Sequence, residues 1–132
     1  MKITADTNVL VRAITGDDER QSKAAQAELA NADVVALALP ALCELVWVLS
    51  QGYKIPVAEI AETIRRLMNS VNVVMNRPAV EAGMVQLEAG GDFADGAIAY
   101  EGSWLGADTF VSFDKRAVKL MEARGEPVRL LS

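Results

Sequence analysis

The sequence is expected to fold as an α/β protein, three layers deep, with a mostly parallel central sheet covered by helices on both faces. Two observations carry this. Five short β-prone runs alternate with segments of helical periodicity along the chain, and parallel strands joined by crossover helices are the arrangement such alternation gives. The chain also has 132 residues, 52% of them hydrophobic, without internal repeat, low-complexity tract or linker, which is enough for one domain, residues 1–132, with its own core.

The elements follow in order. Lys2 to Thr7 begins as a β-prone segment, and Asp17 to Ala32 has the pattern of an amphipathic helix. The acidic first turn of that helix, Asp17-Asp18-Glu19, suits the positive end of the helix dipole. Val34 to Leu39 is a strand. Pro40 then fits the first turn of a helix through about Leu49, with Gly52 ending it. Pro56 starts a helix through Met68, where Val57, Ile60, Ile64 and Leu67 recur at helical spacing. Val71 to Met75 is a β-branched run, Pro78 to Glu88 a helix, and Gly90-Gly91 a break before a helix starting near Asp92 to Asp95. Thr109 to Phe113 is a strand, Lys115 to Ala123 a helix, and Val128 to Leu131 a last strand after Gly125.

Composition narrows the chemistry. With no histidine and one cysteine, Cys43, the chain cannot use Ser-His-Asp or Cys-His catalysis, an internal disulfide, or Cys/His zinc sites of the usual spacing. Any chemistry must come from carboxylates, hydroxyls, Lys/Arg, or a hard metal ion held by oxygen. A net charge of −5 opposes binding nucleic acid through bulk positive charge. A bound divalent cation, a local basic patch or a partner chain would soften that opposition. The longest apolar stretch lies between Asp33 and Glu44 and contains Pro40, so no membrane span is expected. The amino terminus does not have the pattern of a signal peptide, and a cytoplasmic protein is expected.

Four acids stand apart from the solvated helical faces. Asp6 closes the first apolar strand, within Ile3-Thr4-Ala5-Asp6-Thr7-Asn8-Val9-Leu10, and ligands of open α/β sheets bind at the carboxyl ends of strands. Glu44 is the only charge in Ala41-Leu42-Cys43-Glu44-Leu45-Val46-Trp47-Val48-Leu49, and is therefore expected to be buried. A buried carboxylate must be protonated, paired with Arg or Lys, or bound to a metal. Asp95, in Asp92-Phe93-Ala94-Asp95-Gly96-Ala97-Ile98-Ala99, sits at or near a helix start, and Asp114 ends the strand Val111-Ser112-Phe113. For Asp6, Asp92 and Asp114 the alternative role is an N-cap, accepting a hydrogen bond from a free helical N–H. If the four acids converge, each pair about 5 Å apart repels by on the order of 3 kcal/mol at an effective dielectric near 20. A divalent cation would offset that, and all-oxygen ligation selects Mg²⁺ or Mn²⁺ over zinc.

With these residues identified, the chain resembles the PIN-domain nucleases, and among them the VapC-type toxins of VapBC toxin–antitoxin pairs. The likeness covers nearly the whole length and rests on the order and spacing of the strings quoted above, with Phe110-Val111-Ser112-Phe113-Asp114-Lys115 the last of them. The resemblance implies an endoribonuclease whose catalytic and metal-binding set is Asp6, Glu44, Asp95 and Asp114 around Mg²⁺ or Mn²⁺. Asn8 and Ser112 would support it, and Asp92 would be either a helper or a simple cap. It further implies an RNA substrate such as tRNA, a VapB-like antitoxin that buries an apolar or Arg-bearing segment in the active-site groove, and a homodimer. Val57 to Met68, with Trp47 and Val48, could supply interface surface or core packing. Lys115, Arg116 and Lys119 are candidates for RNA phosphate contacts, the alternative being an ordinary basic helix face. Two departures from the family pattern stand out. Ser112 replaces the common Thr but keeps a hydroxyl, and Gly96 replaces a frequent Ala, which is expected to loosen the helix start.

Other readings differ at single positions. A haloacid-dehalogenase-like phosphatase needs a second Asp two residues after the first, where this chain has Asn8. A Mg²⁺-binding receiver domain wants adjacent acids at the first strand end and a Lys after the last strand. This chain offers Asp6 alone and has Arg129 inside the last strand. A catalytically silent PIN scaffold would have no need of the four acids.

Overall fold

A computed structural model describes residues 1–132. The chain divides into two units, Met1–Asn76 and Arg77–Ser132.

In the first unit, β1 spans Lys2–Thr4 and is shorter than its β-prone sequence, because Asp6 turns the chain into an unexpected helix, α1 (Thr7–Thr15). The Asp6 carboxylate accepts from the Thr7 backbone N–H at 2.8 Å, and Gly16, at φ 67°, closes the helix in the left-handed conformation that glycine tolerates. Next come α2 (Glu19–Asn31), β2 (Val34–Leu37), α3 (Leu39–Trp47), α4 (Val57–Met68) and β3 (Val73–Met75). Between α3 and α4, Val48–Gly52 continues as one wider, π-type turn, in which the Tyr53 N–H donates to the Val48 carbonyl at 3.1 Å.

β2 lies between β1 and β3, and both pairings are parallel, with Ile3 opposite Val35 and Val35 opposite Val73. The parallel order makes the α1–α2 and α3–α4 segments crossovers. Their buried stripes are Leu10 and Val11 on α1, Leu42, Leu45 and Val46 on α3, and Ile60, Ala61 and Ile64 on α4, with Leu49 following α3. Each of the larger side chains contributes about 1.5–3 kcal/mol by leaving water. A polar fastener closes the unit. The amide of Asn72 donates to the Leu29 and Ala32 carbonyls at 2.9 and 3.1 Å, giving partners to two carbonyls freed at the end of α2.

The second unit contains α5 (Arg77–Glu88), α6 (Phe93–Trp104), β4 (Phe110–Ser112), α7 (Lys115–Ala123) and β5 (Val128–Leu130). β4 and β5 pair in parallel, Val111 opposite Arg129, across the α7 crossover. α5 is followed by Gly90, with φ 103°, and the Gly91 N–H donates back to the Gln86 carbonyl at 2.9 Å. The fully buried ring of Phe93 lies against Gly83, where an added Cβ would come within 2.7 Å of it.

Gly96 corrects an expectation. It is buried, and a Cβ there would stand 2.4 Å from the backbone carbonyl oxygen of Ala82. Rather than loosening α6, glycine lets α6 and α5 approach backbone to backbone.

Candidate active-site acids

In the first unit, Asp6 stands at the β1–α1 junction, exposed, with its carboxylate turned onto the first N–H of α1. Asn8, in the first turn of α1, is exposed. Glu44 is on α3 and is exposed, which overturns the expected burial. The reason is angular. Leu42, Leu45, Val46 and Leu49 form the buried stripe at helical spacing, while Glu44 and Trp47 fall off it. Glu44 accepts a hydrogen bond from a residue that sequence reasoning passed over. Thr7, only 9% exposed, donates from Oγ1 to Glu44 Oε2 at 3.3 Å while its backbone N–H holds Asp6.

In the second unit, Asp92 and Asp114 are N-caps. Asp92 accepts from the Ala94 N–H at 3.3 Å on α6, and Asp114 accepts from the Ala117 N–H at 3.0 Å on α7. The Ser112 hydroxyl accepts from the Asp114 N–H at 2.9 Å, which orients the strand end. Asp95 sits in the first turn of α6, partly buried, and no cap bond defines it. Burial raises its carboxyl above the usual range, and the charges of Asp92 and then Asp114 raise it further. Three carboxyls of this unit are thus electrostatically in touch, although within neither unit do three acids close into a ready cage for an ion.

The chemistry of these acids, oxygen donors only, is of the kind a hard divalent cation takes, and in the second unit Asp95 is held against ionisation first by burial and then by two like charges, which a cation would offset. Lys115, Arg116 and Lys119 are exposed on α7 beside Asp114.

Sequence reasoning also missed Gln86. It is fully buried on α5, its Oε1 accepting from Arg124 Nη2 at 2.6 Å, and its Nε2 has no partner. A glutamine flanked by Val85 and Leu87 carries no sequence signal beyond its place on the buried stripe of α5.

The family model of the PIN domain matches residues 3–122. The chain belongs to the PIN-domain family. A search of the curated proteins finds no match. Its helix-rich, parallel-stranded architecture agrees with the three-layer α/β/α, PIN-like fold class expected from the sequence. PIN domains are in general metal-dependent nucleases using divalent ions such as Mg²⁺, which sets aside the receiver and haloacid-dehalogenase alternatives for this PIN domain. No helix is long and apolar enough to cross a membrane.

Proposed function

We propose that this PIN domain, acting as one nuclease domain over residues 1–132, is a Mg²⁺- or Mn²⁺-dependent endoribonuclease toxin of the VapC type, restrained by a cognate VapB-like antitoxin. Asp6, Glu44, Asp95 and Asp114 are its metal ligands and catalytic acids. What supports the reading is membership of the PIN family together with Asp95, which stands partly buried in the first turn of α6 with its ionised form opposed by burial and by the charges of Asp92 and Asp114, an opposition that a bound cation would relieve. When bound, the ion would supply Lewis acidity, making water a better nucleophile and offsetting charge that builds on the phosphate.

The chain's own residues do the rest. Asp114 is oriented through its backbone N–H by Ser112, and Glu44 through its carboxylate by Thr7. Asp92 stands beside Asp95, whose ionised form it opposes. Lys115 and Arg116 occupy the first turn of α7, where the helix dipole disfavours cations, so their placement is better explained by RNA phosphates than by helix stability. Lys119 extends the same exposed face. Structured RNA such as tRNA is the proposed substrate and the cytoplasm the proposed location. Trp47 and Val57, 61% and 43% exposed, favour a homodimer, which sedimentation at micromolar concentration would show.

The deciding experiment is cleavage of mixed structured RNA with Mg²⁺, with EDTA, and with an Asp6→Asn variant purified identically. Metal-dependent cleavage lost in the variant is the expected result. Equal cleavage by both proteins would overturn the assignment.

A further inference from the structure

We infer that Thr7 is a positioning residue that sets the Glu44 carboxylate beside α1, and that its hydroxyl, rather than its bulk, is what the site requires. The inference rests on the nuclease reading only for its consequence, since the contact itself belongs to the fold.

Thr7 is the first residue of α1, and its two donors serve two acids. The backbone N–H is satisfied by Asp6 at 2.8 Å, and Oγ1 reaches Glu44 Oε2 at 3.3 Å across 37 residues of chain. In the second of these contacts the Glu44 carboxyl oxygen is the acceptor and the hydroxyl the donor. The side chain carrying it is rigid for two reasons. It is β-branched, which restricts χ1, and it is 9% exposed, so its methyl and Cβ are packed. Glu44 has the opposite character. It is an exposed residue with a long, rotatable side chain, and side chains of this kind have many rotamers to lose when held in one place. A fixed donor facing a mobile acceptor orders the acceptor. Asn8, the polar neighbour that the sequence draws attention to, is exposed.

The test uses the full chain and two substitutions, Thr7→Val, which keeps shape and loses the hydroxyl, and Thr7→Ser, which keeps the hydroxyl. The first readout is the Glu44 γ-methylene pair in NMR spectra of the metal-free protein. Its two protons should have distinct shifts and couplings in the wild type and in Thr7→Ser, and averaged ones in Thr7→Val. The second is Mn²⁺ affinity by calorimetry, expected to fall about tenfold in Thr7→Val and to stay within about threefold in Thr7→Ser, the size of one hydrogen bond to a charged group. Averaged Glu44 signals in all three proteins, or a Thr7→Ser variant as impaired as Thr7→Val, would overturn the role. Wild-type protein that orders Glu44 through Thr7 yet cleaves no RNA would overturn the nuclease reading and leave the positioning role standing.

Discussion

The acids of the two units are handled in opposite ways. In Met1–Asn76, Asp6 and Glu44 are both exposed, and one threonine supplies a donor to each. In Arg77–Ser132, Asp92 and Asp114 cap helices while Asp95, partly buried, feels both charges and has its carboxyl raised. Each acid of the first pair accepts a hydrogen bond from a neutral donor, whereas in the second group burial and the charges of Asp92 and Asp114 oppose ionisation of Asp95. A bound cation would relieve that opposition at Asp95.

The largest effect that would sharpen this contrast comes from Asp95→Asn. Loss of this charge should lower Mg²⁺-dependent RNA cleavage by about 100-fold or more, the scale of removing a group that stabilises transition-state charge. The same change should raise the melting temperature of the metal-free protein by about 2 °C, as expected for about 0.5 kcal/mol of relieved, partly screened repulsion. The sign follows from linkage. The folded carboxyl is raised above its ordinary value of 3.8, so above that pH the native state binds more protons than the unfolded chain and stability falls as pH rises to the folded value. Wild-type protein should lose stability across that window, and Asp95→Asn should not. Mg²⁺ should restore it in the wild type alone. A variant melting below wild type would break the contrast.

Gly96→Ala is the next largest. The carbonyl oxygen 2.4 Å from the new Cβ is backbone and cannot swing aside, so α6 must move off α5, at about 1–3 kcal/mol. Gly102, on the same helix, has nothing within 4 Å of an added Cβ, and Gly102→Ala should stabilise by up to about 1 kcal/mol. Denaturant melts of the two variants should move in opposite directions. Movement of both in the same direction would mean that the close approach does not depend on glycine.

These positions also show where sequence is informative. The α7 segment, Lys115–Ala123, is legible to the residue, because Asp114 caps it and Ala117, Val118 and Met121 mark its buried side. Every strand is also found, with each β-prone run extending one to three residues beyond the paired ones. α1 is hidden because Thr7, Val9, Val11, Ile14 and Thr15 are β-branched and continue the β-prone opening, although Asp6 followed by Leu10, Val11 and Ile14 is a capped amphipathic pattern. At Glu44, the apolar neighbours along the chain suggest burial, whereas exposure is decided by angle around the helix, where Glu44 falls off the line of Leu42, Leu45 and Leu49. The roles of Gly96 and Gln86 depend on what a neighbouring helix presents, which periodicity within one segment cannot report.

On the first unit's side, Asn72→Ala tests whether its order depends on polar fasteners. Two hydrogen bonds to the end of α2 are lost, leaving the Leu29 and Ala32 carbonyls without that donor, and stability should fall by about 1–2 kcal/mol. An unchanged denaturation midpoint would mean water substitutes for the amide.

The smallest effect concerns another carboxylate of that unit served by hydroxyl donors. Asp17 accepts from the Tyr53 hydroxyl at 2.6 Å and from Thr15 at 3.0 Å, and lies 3.0 Å from Arg12. These contacts lower its carboxyl below its ordinary 3.8, with Tyr53 the leading cause. A depressed folded value contributes stability that is present above the unfolded value and is lost as pH falls through the folded one. Tyr53→Phe should therefore be slightly less stable than wild type at neutral pH, and the gap should close as pH drops below about 3.8 toward the folded value, since the protonated carboxyl gains little from the donor. Melts of both proteins at matched pH values measure that gap. A gap that stays constant with pH would assign the effect of Tyr53 to packing of its ring, and would remove Asp17 from the acids that this unit holds through neutral donors.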